Sequence, residues 1–141
     1  MNHAEQETKL LRLQLRLAQL DKAEDCQNNF LSFVRAMWPE FIEGNHHLII
    51  AKKLEQIASG EIKRLIINMP PRHTKSEFAS FLFPAWMIGR DPSMKIIQAT
   101  HTTELAVNFG RKTKNLLETE YYKDIFPDTT LSADSKASGR W

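Results

Sequence analysis

The residues best suited to chemistry lie in one stretch, RLIINMPPRHTKSEF, at positions 64–78. Lys75 and Ser76 stand side by side after an apolar run and a Pro-Pro-Arg-His loop, and a segment of helical pattern follows them. A lysine and a hydroxyl in the first turn of a helix, entered from a strand through a tight loop, suit the phosphates of a nucleotide. Backbone N–H groups at a helix start point at an anion and the helix dipole favours negative charge, while the lysine reaches the outer phosphates and the hydroxyl ligates Mg²⁺. By spacing, Lys75 and Ser76 fill the last two places of the G-x-x-x-x-G-K-[ST] pattern, whereas its two glycine places fall on Met69 and Thr74. Two readings therefore stay open: a phosphate loop made of Pro71, Arg72, His73, Thr74, Lys75 and Ser76, or a Pro-rich turn followed by a plain Lys-Ser helix start. Arg72 favours the first, because a guanidinium inside the loop adds a bidentate phosphate contact.

The surrounding pattern supplies the elements that must position this loop. A Leu-rich segment near 4–24 can alternate as a strand or step by 3, 4 and 3 through Leu10, Leu13, Leu17 and Leu20; its helix-forming composition favours an amphipathic helix that needs something to pack on. Asn28 can cap a second helix with Phe30, Phe33, Val34 and Met37 on one face, ended by Pro39. A third runs from about His46 to Ser59, with Gly60 at its C′ position. The apolar runs at 64–69 and 94–100 suit strands buried on both faces of a parallel sheet. Between them a helix from about Lys75 bends near Pro84, whose missing N–H breaks the ladder. Thr102 or Thr103 caps a helix near 103–119, and a short one near 121–125 ends at Pro127. Strand, loop, helix, strand, helix predicts an α/β fold of P-loop NTPase type, a parallel sheet with flanking helices, incomplete in this chain. The division is a helical segment at 1–27 and a nucleotide-binding domain at 28–141.

Composition narrows the class. Nineteen Lys and Arg against seventeen Asp and Glu give a formal charge of +2 over 141 residues, too mild to indicate a histone-like or acidic-tail protein. No apolar run reaches the roughly 18 residues that a bilayer span needs. Glu5, Glu7 and Lys9, with no apolar stretch behind them, argue against a secretory signal. A single cysteine, Cys26, forms no internal disulfide, which fits a reducing cytoplasm. His46, His47, His73 and His101 lack the spacing and acidic companions of a metal site. Thr100-His101-Thr102 either relays nucleotide state or caps the next helix. Arg111, Lys112 and Lys114 form a basic patch for DNA phosphates or a solvated face. Arg140 is a candidate arginine finger in trans, and Phe78, Phe81, Phe83 and Trp86 read as core.

Over residues 30–141 the sequence resembles the ATPase domain of the large terminase subunit, the DNA-packaging motor of tailed double-stranded DNA phages. The carriers are FVRAMWP (33–39), HH (46–47), LIINMPPRH (65–73), KSE (75–77), PAW (84–86), ATHT (99–102), ELA (104–106), FGRK (109–112), DSKA (134–137) and GRW (139–141). In that family an arginine-bearing loop replaces the first glycine of the phosphate-binding motif. The resemblance implies ATP with Mg²⁺ as cofactors: Lys75 on the β/γ phosphates, Ser76 on the metal, Arg72 at the γ-phosphate, and the His46-His47 segment near the adenine. It implies as partners double-stranded phage DNA, a small terminase subunit and the portal protein of a procapsid. It also implies a homo-oligomeric ring at full length, the bacterial host cytoplasm and no membrane. Thr74 departs from the pattern, which more often has glycine there, and a Cβ restricts the tight turn.

No apolar run ending in paired acidic residues follows Ser76; Asp124 and Asp128 follow Tyr-Lys and Phe-Pro. An ATPase of this class needs such carboxylates for Mg²⁺ and water activation, so the expectation is the ATP-binding part of a motor without useful turnover by itself. A strand at 64–69 lacking its acidic neighbour exposes an unpaired apolar edge. The chain is therefore expected to be unstable, aggregation-prone or dependent on a partner. Urea unfolding tests this, and a cooperative, soluble monomer with an ordinary midpoint contradicts it.

Overall fold

The computed structural model describes residues 3–132. Six α-helices follow one another: α1 (His3–Asn28), α2 (Phe30–Met37), α3 (Asn45–Ala58), α4 (Phe83–Arg90), α5 (Thr103–Leu117) and α6 (Glu120–Ile125), with a π-helical turn (Glu77–Leu82) leading into α4. Most ends are fixed by side chains foreseeable from their types. Asn29, rather than Asn28, caps α2 by accepting from the Ser32 N–H at 2.8 Å, and Glu55 Oε1 accepts from the Phe30 N–H at 2.8 Å. Thr102 and Thr119 cap α5 and α6 in the same way. Gly60 takes φ +76°, the left-handed conformation that closes a helix.

The π-helical turn has a local cause. Pro84 has no N–H to give Ser80, and its ring crowds that carbonyl. The helix widens ahead of it, so that the Phe83 N–H reaches back five residues to the Phe78 carbonyl.

The core is helical and aromatic. Phe30, Phe33 and Val34 of α2 meet Phe78 and Leu82 of the π-helical turn, Ala85 and Trp86 of α4, and Tyr122, Ile125 and Phe126 at the C-terminal end of the bundle. Phe30 takes Phe78 and Phe83 edge-on at 5.7 and 5.6 Å. The polar tips inside it are satisfied: Trp86 Nε1–H donates to the Cys26 carbonyl at 2.8 Å and the Tyr122 hydroxyl to that of Ala85 at 2.7 Å. Burial pushes the Tyr122 phenol well above its ordinary range. Only the last turn of α1 joins this core, through buried Cys26 and through Gln27, whose amide donates to the Ile125 carbonyl. The leucines from Leu10 to Leu20 are exposed.

The parallel sheet expected from the sequence is not formed, and among the described residues there is no strand. The segments at 64–69 and 94–100 are irregular and pair with nothing, and a strand exists only through a ladder with a neighbour. The first lies on the core one-sidedly. Leu65, Ile67 and Met69 pack inward while Ile66 is 91 % exposed; in the second, Ile97 is 95 % exposed. Burial on both faces, which a run of apolar residues suggests, needs layers that the described residues do not supply. The described residues therefore form an all-helical assembly with two extended connections.

One close approach makes the packing of α4 on the chain after α6 testable. A Cβ built on Gly89 falls 2.5 Å from the Phe126 ring. Gly89→Ala is expected to destabilise the fold by about 1–3 kcal/mol through overpacking, read as a lowered urea midpoint with an unchanged slope.

Candidate functional site

The loop at 70–76 bends in an unusual way. Arg72 and Thr74 have φ of +64° and +59°, the two non-glycine residues with positive φ among the described residues. Each left-handed L-residue costs about 1–2 kcal/mol, and a β-branched one is a genuine outlier. Thr74 therefore sits where the sequence called for glycine, and the backbone adopts the glycine conformation despite its Cβ.

Local bonds hold the turn. His73 Nδ1–H donates to the Pro71 carbonyl at 2.9 Å, and the Thr74 hydroxyl donates to the His73 carbonyl at 2.6 Å. The Lys75 ammonium folds back to the Pro70 carbonyl at 3.4 Å, and the Phe78 N–H bonds the Thr74 carbonyl at 3.0 Å. Lys75 and Ser76 are the first helical residues after the loop. Their amides belong to the set that a helix leaves without internal partners. With left-handed Arg72 and Thr74 just before them, these amides make the helix start the part of the loop suited to an anion.

A contact from α3 completes the site. His47 is the third residue of that helix and 4 % exposed. Its Nδ1 accepts from the Gly44 N–H at 2.9 Å, as a glutamate would in a capping box. Its Nε2 lies 2.6 Å from Thr74 Oγ1. Phe41 meets the ring at 4.8 Å and Phe78 stacks on it at 5.1 Å. His46 lies 3.8 Å from His47 and 6.0 Å from His73, ring centre to ring centre. Burial, with help from His46 and His73 and against the pull of Glu43, holds the His47 imidazole below its ordinary range. Beside the loop, α3 and the 65–69 segment bound a groove of about 250 Å³ lined by His46, Ile49, Ile50, Lys53 and the apolar run.

No family model, curated protein or solved structure matches this chain. The site is thus read from its own geometry. Pro71, Arg72, His73, Thr74, Lys75 and Ser76 are contiguous in the loop, and Arg72 is exposed with no ion pair among the described residues. The Thr100 hydroxyl donates to the Thr102 carbonyl in a local turn, and Thr102 caps α5. Lys112 is drawn away from its basic neighbours: its ammonium pairs with Glu77 at 2.5 Å and sits over the Phe81 ring. Arg140 lies outside the described residues. Among those residues no cluster of three His, Cys, Asp or Glu could hold a metal. Ser76 offers one hydroxyl oxygen as a metal ligand. No helix described is long and apolar enough to cross a membrane.

The residue that sequence reasoning missed is His47 as a partner of Thr74. Its local signal was a histidine three places after a glycine at a helix start; the contact to a position 27 residues on has no local signature.

The lowered His47 value makes a prediction. The unfolded chain takes up this proton near pH 6.5, before the folded chain does, so stability is whole above that pH and is lost as pH falls through the depressed folded value. The urea midpoint is expected to fall between neutral pH and about pH 5, and to fall less in His47→Gln.

Proposed function

We propose that residues 70–76 bind the polyphosphate tail of ATP, and that the chain is the ATP-binding portion of a viral DNA-packaging motor of the large-terminase kind. One observation carries this reading: left-handed Arg72 and Thr74 fold the loop over the start of a helix that opens with Lys75 and Ser76. Amides at the helix start are then offered to the phosphates, and the helix dipole adds to their polarity. The Lys75 ammonium exchanges the long contact to Pro70 for a phosphate oxygen. Arg72 supplies a second cation from the rim. Ser76 gives one oxygen to a Mg²⁺ that arrives with the phosphates. The base and ribose lie along the groove beside His46. The resemblance of the 33–39, 65–77 and 99–112 blocks to terminase sequences supports the motor context. With it come duplex phage DNA, a small terminase subunit and the portal as partners, a ring as the working form, and the host cytoplasm as its place.

A second reading, a nucleotide-binding module or prophage remnant without catalysis, is favoured by Glu77. It is the carboxylate next to Ser76 in the chain, and Lys112 neutralises it.

Calorimetry with Mg·ATP tests both. Saturable binding is expected, weakened about 10- to 100-fold in Lys75→Ala, the range for a lost charge-assisted hydrogen bond. Phosphate release that disappears in Lys75→Ala favours the motor, and binding without release favours the module. No binding by the unaltered chain overturns both.

A further inference from the structure

The loop's most improbable residue is held from outside the loop, and the direction of every hydrogen bond in that support can be worked out. The Gly44 N–H can only donate, so His47 Nδ1 is its acceptor and carries no proton. A neutral imidazole then bears its proton on Nε2, which donates to Thr74 Oγ1 at 2.6 Å. The Thr74 hydroxyl proton is thereby left for the His73 carbonyl at 2.6 Å. One backbone N–H at the start of α3 thus fixes the polarity of a relay that ends inside the loop. Phe78 stacks on the ring and Phe41 meets it edge-on, which helps keep it in this orientation. A Cβ at Gly44 would approach the His46 ring at 2.9 Å, so a side chain there requires His46 to shift.

We propose that His47 is a positioning residue of the loop: its Nε2–H fastens Thr74 in the left-handed conformation and so sets the direction of the amides that follow. This rests on the phosphate-binding reading of residues 70–76 and adds to it the group that keeps the cup in shape before a ligand arrives. A loop with glycine at position 74 would need no such fastening, because glycine enters the left-handed region freely. His47 and Thr74 therefore act as a pair.

Two replacements separate the two halves of the relay. Asparagine places its oxygen near the position of Nδ1 and can keep the Gly44 bond alone; glutamine reaches the Nε2 position and can keep the Thr74 bond alone. With inorganic pyrophosphate and Mg·ATP as probes, His47→Asn is expected to weaken binding by about tenfold, and His47→Gln by less than about threefold. In a Thr74→Gly background, His47→Asn is expected to change binding by less than about twofold. Circular dichroism and urea midpoints confirm that each variant is folded at the binding temperature. Equal losses from His47→Asn in both backgrounds, or glutamine no better than asparagine, overturn the proposal while leaving the phosphate site standing. If the unaltered chain binds neither probe, the phosphate reading fails and NMR decides the positioning role by itself. The Nε2–H tautomer at His47 and a left-handed Thr74 coupling lost in His47→Asn but kept in His47→Gln support it; a coupling unchanged in both overturns it.

Discussion

The structure turns on one ring. Phe78 is fully buried, packs edge-on against Phe30 in the centre of the helical core, and stacks on His47 on its other side. Its own backbone N–H bonds the carbonyl of Thr74. The same residue therefore belongs to the hydrophobic interior, to the support of the loop, and to the first turn of the helix that the loop opens. Strain at Thr74 persists because the His47 contact and the local hydrogen bonds hold it, whereas Arg72 lies exposed. The widened turn ahead of Pro84 belongs to the same arrangement, since the Phe78 carbonyl accepts the Phe83 N–H.

Charge around the loop is arranged with a consistent sign. The carboxylate nearest in sequence, Glu77, faces away toward Lys112 and lends little negative potential to the helix start. Lys75, Arg72 and His73 remain on the loop side. His47, although close, contributes shape rather than charge, because its burial keeps it neutral. Lysine and arginine thus stand beside the helix start while the neighbouring carboxylate is neutralised.

Much of this was legible in the sequence, and the exceptions share a cause. The helices declared themselves through apolar spacing and through Asn, Thr and Gly at their ends, because those signals are local. Thr74 stood out for the same reason: a pattern position that asks for glycine marks a left-handed turn whichever residue occupies it. The sheet was misread. An apolar run such as 64–69 says that a segment is attractive to a core, but not that a neighbour will complete a ladder beside it. Leu65 and Ile67 find the core while Ile66 does not, a one-sided burial that the composition of the run could not reveal. The His47–Thr74 contact was invisible for a related reason, being a tertiary meeting of two residues each unremarkable in its own segment.

The long first helix has a mechanical consequence. At a rise of 1.5 Å per residue, its 26 residues make a rod of about 39 Å. The rod is clamped at its far end by Cys26 and Gln27, and the leucines along it face water. A lever gripped so near its tip multiplies any small rotation at the grip into a wide sweep of the other end, so slight repacking around Trp86 and Ile125 would be felt tens of ångströms away.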